Sequence, residues 1–148
     1  MSSSAMTIGA AAKRAGCPVA TVRYYEEIGL MPEAERRPGG HRLYDETDVA
    51  RLIFIRRCRE LDMPIGKIVA LLAISDDGAR PCAEALDLTH EHLAAVRSRL
   101  NELRELERTL AAFAAECAQT CCQGSSATCT LFSELREPAR RGGAARPT

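Results

Sequence analysis

Residues 81–117 constrain this chain more than any other stretch. Leu86, Leu93, Val96, Leu100 and Leu103 follow one another at steps of three and four, with one step of seven. Leu106, Leu110, Phe113 and Cys117 continue the rhythm after a phase slip. That spacing gathers apolar side chains into one stripe of an α-helix. About 36 residues at ~1.5 Å rise make a rod of roughly 50 Å. A lone helix of that length leaves its stripe unburied and needs a partner. A coiled coil between two copies of the chain is the economical answer. The alternative is packing back on the N-terminal residues, which look too few to cover the stripe.

Composition agrees with a mostly α fold. The 148 residues are 4% aromatic with no Trp, while Ala, Leu, Glu and Arg dominate. Aromatic-poor sequences make poor β domains, and these four residues are helix formers. No apolar run approaches the ~18 residues that span a bilayer. The opening Met-Ser-Ser-Ser-Ala-Met lacks the charged and apolar regions of a secretory signal. The expected location is cytoplasmic, with no membrane partner. Net charge is zero, which hides an asymmetry. Between Arg36 and Arg59 seven basic side chains face three acidic ones, whereas between Asp62 and Leu135 six face eleven. A basic patch in the first half and an acidic helix in the second follow.

The first half divides into short capped pieces. Thr7 caps a helix that Gly16 ends. Pro18 opens a second, which stops at Gly29. Two short helices joined by a tight turn containing Gly fit a helix-turn-helix, whose second helix enters the DNA major groove. Pro38-Gly39-Gly40 is a turn, and His41-Arg42-Leu43-Tyr44 can follow as a strand, so Arg36, Arg37 and Arg42 would ride on a β-hairpin wing. Asp45 caps a third helix to about Leu61, Pro64 opens a fourth, and residues 75–80 form a loop. The expected domains are a winged helix-turn-helix over 6–75, a dimerisation helix over 81–117, a cysteine loop with a short terminal helix over 118–135, and a disordered tail over 136–148.

Seven cysteines in a chain of cytosolic character suggest metal ligands or redox groups rather than disulfides. Cys17 and Cys58 read as small buried hydrophobes. Cys82 opens the long helix and Cys117 closes it, 35 residues later, with Cys121, Cys122 and Cys129 following in a loop rich in Gly, Ser and Thr. Cys82 and Cys117 of one helix are about 50 Å apart and cannot share an ion. In an antiparallel pair the start of one helix meets the end of the other, so Cys82 of one subunit would approach the loop of its partner, giving two symmetric sites. The alternative is a loop that acts alone. Thiolates select Zn2+, Cd2+, Hg2+, Pb2+ or monovalent copper over magnesium and calcium. Three negative sulfurs favour a divalent ion. His92, near Cys82 on the helix, is either a borderline ligand, a support for one, or a surface residue.

At Ile8-Gly9, Val22-Arg23-Tyr24-Tyr25-Glu26-Glu27-Ile28-Gly29-Leu30, His41-Arg42-Leu43-Tyr44 and Leu52-Ile53-Phe54-Ile55-Arg56-Arg57 with Leu61, the chain closely resembles MerR-family transcription regulators. The likeness runs from about Met6 to Leu135. The cysteines flanking the long helix look like the heavy-metal branch, and Leu61-Asp62-Met63-Pro64 with the 82–92 stretch looks most like its cadmium and lead sensors. The resemblance implies a homodimer on a palindromic promoter operator in double-stranded DNA. Metal binding would then distort the DNA so that RNA polymerase reads both promoter elements and transcribes resistance genes. It places Arg23, Tyr24 and Tyr25 in the recognition helix, Arg42 and Tyr44 in the wing, and Arg56 at a phosphate. His41 reads as structural or as a backbone contact.

Two departures matter. The copper branch has Ser where this chain has Cys82, which argues against copper. Cys121 and Cys122 exceed the usual cysteine count of the divalent sensors; they either complete a four-ligand site or hold a second ion. Four clustered thiols also admit a redox regulator carrying an iron–sulfur cluster, and a metal buffer is a third reading. No Ser/His/Asp set, phosphate loop or paired-carboxylate constellation suggests an enzyme.

Overall fold

The computed structural model describes residues 4–33, 35–36, 40–120 and 123–139. Helices α1 (Ile8–Ala15), α2 (Val19–Glu27), α3 (Glu46–Glu60), α4 (Ile65–Asp76), α5 (Cys82–Thr120) and α6 (Thr130–Arg136) carry most of it. The strands β1 (Glu35–Arg36) and β2 (Arg42–Leu43) form one antiparallel pair between α2 and α3. A mostly α fold with a wing is what the sequence implies. Two compact units divide the chain, 1–92 and 93–148.

In the first unit the boundaries follow local chemistry. The Thr7 hydroxyl accepts from the Ala10 amide at 3.2 Å, which satisfies one of the unpaired donors at the start of α1. Gly16 ends that helix in the left-handed region, at φ +70°. Asp45 and Asp48 form a reciprocal cap on α3, each carboxylate accepting from the other's amide at 2.9 and 3.0 Å. Pro64 precedes α4 in extended backbone, as a residue without an N–H can at no cost.

The core explains the arrangement. Ala11, Ala12 and Ala15 are the buried face of α1, and their small size lets α1 lie close on α3, where Val49, Leu52, Ile55 and Cys58 face inward. Val22 and Tyr25 of α2, Ile68 and Leu72 of α4, and Leu30, Met31, Tyr44 and Met63 complete the cluster. Backbone bonds between Met6 and Tyr44, 2.8 and 2.9 Å, tie the end of the wing to the start of the chain.

Two helix boundaries differ from those the sequence implies. Helix α4 continues to Asp76 rather than ending before Ser75. The Arg51 guanidinium holds the Asp76 carboxylate at 3.0 and 2.9 Å while its Nε donates to the Leu30 carbonyl at 2.8 Å. Helix α5 begins at Cys82 and runs past Cys117 to Thr120, whose hydroxyl donates to the Glu116 carbonyl at 2.7 Å. The first compact unit extends to His92, inside α5. Lys67 pairs with Glu91 at 2.7 Å, and His92 Nε2 donates to the Leu61 carbonyl at 2.8 Å, so the first turns of α5 belong with α3 and α4.

In the second unit, α5 is followed by a 3-10 turn (Ser126–Thr128) and α6, which includes Arg136. Residues 140–148, most of the expected tail, lie outside the described residues. No residue of α5 is buried: Leu93, Val96, Leu100, Leu103, Leu106 and Leu110 are all at least two-fifths exposed. Among the described residues no helix is long and apolar enough to cross a membrane.

Gly16 is the most sensitive point of the turn between α1 and α2. A methyl group there would meet the left-handed backbone penalty and collide with the Arg56 guanidinium. Gly16→Ala is expected to lower stability by about 1–2 kcal/mol, read as a shift in urea midpoint with an unaltered slope.

Candidate functional site

Two groups of side chains carry chemistry, one in each unit. In the first unit they stand on α2, β2 and the C-terminal half of α3. Arg23 and Tyr24 point to solvent from α2, with Tyr24 half exposed. His41 is exposed just before β2. Arg56 is about half exposed; its Nη1 donates to the Ala15 carbonyl at 3.3 Å and its Nε to Glu60 at 3.1 Å. Guanidinium and phenol groups of this kind are apt donors to phosphate oxygens and base edges.

Tyr25, Arg42 and Tyr44 are placed differently. The Tyr25 ring is buried in the core and tilted against Tyr24, with centroids 5.9 Å apart. Tyr44 is 1% exposed, and its hydroxyl donates to Glu26. The Arg42 guanidinium donates to the other oxygen of the same carboxylate. The sequence assigns Glu26 no role of its own, although the acidic pair Glu26-Glu27 stands out inside a helix expected to meet DNA. Arg37 lies outside the described residues.

Burial, and then the hydrogen bond to Glu26, push the Tyr44 phenol up to about 12. Desolvation also raises the thiols of Cys17 and Cys58, against a lowering influence of Arg56 on Cys17. A thiol kept protonated is a poor ligand, which suits their reading as packing residues.

In the second unit, Cys117 in the last turns of α5 and Cys129 before α6 bring their sulfurs to 3.7 Å. Both are half-buried. Two metal–sulfur bonds of about 2.3 Å at a tetrahedral angle hold their sulfurs about 3.8 Å apart, so this pair has the spacing of two ligands to one thiophilic ion. The hydroxyls of Thr120, three residues after Cys117, and Thr130, next after Cys129, lie 3.4 Å apart. Among the described residues no three Cys, His, Asp or Glu side chains converge, so two sulfurs are a part of a ligand set rather than a whole one. Cys82 is exposed at the first residue of α5. Cys121 and Cys122 lie outside the described residues. His92 is engaged with the Leu61 carbonyl in the first unit.

A winged helix-turn-helix with exposed cationic and phenolic side chains, followed by a long helix ending in paired thiols, defines a class of DNA-binding regulators. Comparison with known proteins is specific. The MerR HTH family regulatory protein model matches residues 6–73, and the model described as MerR, DNA binding matches residues 49–113. The HTH-type transcriptional regulator ZntR homolog of Haemophilus influenzae is 39% identical over 105 residues, covering 71% of this chain and 78% of that protein. The transcription regulator PbrR691 of Ralstonia metallidurans CH34, solved in complex with lead(II), superposes with a TM-score of 0.77 at 42% identity, over 88% of this chain and 98% of that one. HiNmlR, a MerR family regulator lacking the sensor domain and bound to promoter DNA, gives 0.54 at 25% identity, over 72% and 84%. The chain belongs to the MerR family of transcription regulators, which are not enzymes.

The Tyr44 shift makes a pH prediction. In the folded chain the phenol stays protonated well above the value near 10 at which an unfolded tyrosine ionises. The stability it confers is complete below about pH 10 and is lost as pH rises toward about 12, at up to about 1.4 kcal/mol per unit. Between pH 9 and 11 the urea midpoint of the wild type should fall more steeply than that of Tyr44→Phe. Parallel curves would show that the phenol does not titrate in this way.

Proposed function

We propose that this chain is a metal-responsive transcription activator that binds a promoter operator as a homodimer and is switched by a thiophilic divalent ion, Cd2+, Pb2+, Zn2+ or Hg2+. The observation that carries this reading is the Cys117–Cys129 sulfur pair at the end of a helix whose apolar stripe is exposed along its length. The stripe supports an antiparallel coiled coil between two copies, because apolar side chains at this spacing bury well only against a second helix. Reversal of the two helices would deliver Cys82 of one copy to the Cys117 and Cys129 of the other, supplying the third sulfur. Cys121 and Cys122 are donors of the right kind to complete a fourth position. The lead(II) complex of PbrR691 supports a soft divalent ion in this class of protein.

A bound cation of this class offsets the charge of thiolates that would otherwise repel one another. The chain's own residues do the rest. Arg23 and Tyr24 would meet the major groove from α2, while His41 and Arg56 would contact the backbone on either side. Tyr25 holds α2 in the core. Lys67–Glu91 and His92–Leu61 bind the first turns of α5 to α3 and α4, so a shift of α5 acts on the recognition elements. Twisting an operator costs a few kcal/mol, an amount that metal and DNA binding can share through one coupling energy. RNA polymerase would then engage both promoter elements.

The test is transcription from the chain's own upstream promoter with the purified protein across a panel of divalent ions. Cys82→Ser should abolish induction and leave operator binding intact; full induction would overturn the shared site. Arg23→Ala should weaken operator binding about five- to 150-fold, by the ~1–3 kcal/mol of a good base contact, without changing metal affinity. A monomer by light scattering at micromolar concentration would overturn the dimer.

A further inference from the structure

Glu26 and its two partners are not used by the scheme above. The Glu26 side chain is only 8% exposed, although it sits on the helix that carries Arg23 and Tyr24. One carboxylate oxygen accepts from Arg42 Nη1 and the other from the Tyr44 hydroxyl. Tyr44 is fixed in turn by its buried ring and by its backbone bonds to Met6. The last turn of α2 is therefore fastened to β2 and the residue after it by a single acidic group.

A guanidinium that contacts a phosphate releases condensed counterions and so adds sequence-independent affinity. Arg42 is already neutralised by a carboxylate in direct contact, and moving it to a phosphate would strand Glu26, largely buried, without its cation. Burial above all raises the Asp48 carboxyl, and the charges of Asp45 and, least, Glu26 add to it. A freed Glu26 carboxylate would therefore sit in an already acidic neighbourhood. The pair should stay closed when DNA arrives.

We propose that Glu26 is a specificity-determining positioning residue: its carboxylate withholds Arg42 from the phosphate backbone and pins β2 to the end of α2, keeping affinity for DNA of arbitrary sequence low. A regulator facing a genome of competing sites gains more from a high ratio of specific to non-specific binding than from raw affinity. The inference rests on the DNA-binding reading given above.

The experiment uses the full-length protein and two duplexes of equal length. One is selected by the wild type from a random-sequence pool, and the other has the same bases in shuffled order. Binding is followed by fluorescence anisotropy across a range of KCl. If the wild type enriches no sequence, the DNA-binding reading itself fails and the inference falls with it. Otherwise Glu26→Gln should bind the shuffled duplex roughly threefold or more tighter, with a salt slope steeper by about one per protomer, as one new phosphate contact requires. The ratio of selected to shuffled affinity should fall. Adding Arg42→Gln to that variant should restore the wild-type slope. Parallel weakening on both duplexes at constant slope would mean Glu26 only holds the fold, and unchanged binding would mean it does nothing here; either overturns the proposal. Arg42→Gln alone decides the matter should Glu26→Gln not fold. It should leave the salt slope for the shuffled duplex unchanged, and a drop in slope of about one per protomer would show Arg42 on the backbone in the wild type.

Discussion

The close approach of α1 to α3 is the contact from which the rest of the first unit follows. It exists because α1 turns three alanines toward α3 and because Gly16 lets the chain reverse immediately afterward. A larger residue at Ala11 or Ala15 would separate the helices and open space that the core side chains could not refill. With α1 seated, Gly16 places α2 so that Val22 and Tyr25 enter the core while Arg23 and Tyr24 stay in water. The same helix thereby anchors itself and presents a surface. Arg56 closes the turn from the α3 side by donating to the Ala15 carbonyl.

Much of this was legible in the sequence because the signals are local. Thr7, Gly16, Asp45 and Pro64 act on amides or dihedral angles within a few residues, and each sits at the boundary it announced. What the sequence hid depends on partners far along the chain. Arg51 extends α4 to Asp76 from 25 residues away. Lys67 and the Leu61 carbonyl draw the start of α5 into the first unit, which no caps or turns foretell. Tyr25 and Tyr44 show the limit of reading by residue type. A phenol beside arginines suggests contact with nucleic acid, yet both rings are buried, and the polar tip of Tyr44 is satisfied by Glu26.

The thiols divide along similar lines. Buried Cys58 and half-buried Cys17 match their reading as packing residues. Cys117 and Cys129 are brought together because α5 continues three residues beyond Cys117 and the chain returns through the Ser126–Thr128 turn into α6. Spacing alone gave the donor type but could not give that return path. The family comparison draws on most of the chain, the sulfur pair on two atoms.

Every buried hydrophobic side chain among the described residues lies between Ala11 and Leu72. The core of the first unit is therefore built from contacts internal to one polypeptide. Any association along α5 obeys mass action instead. At the low copy numbers of a cell, abundance therefore governs how much of the chain is paired.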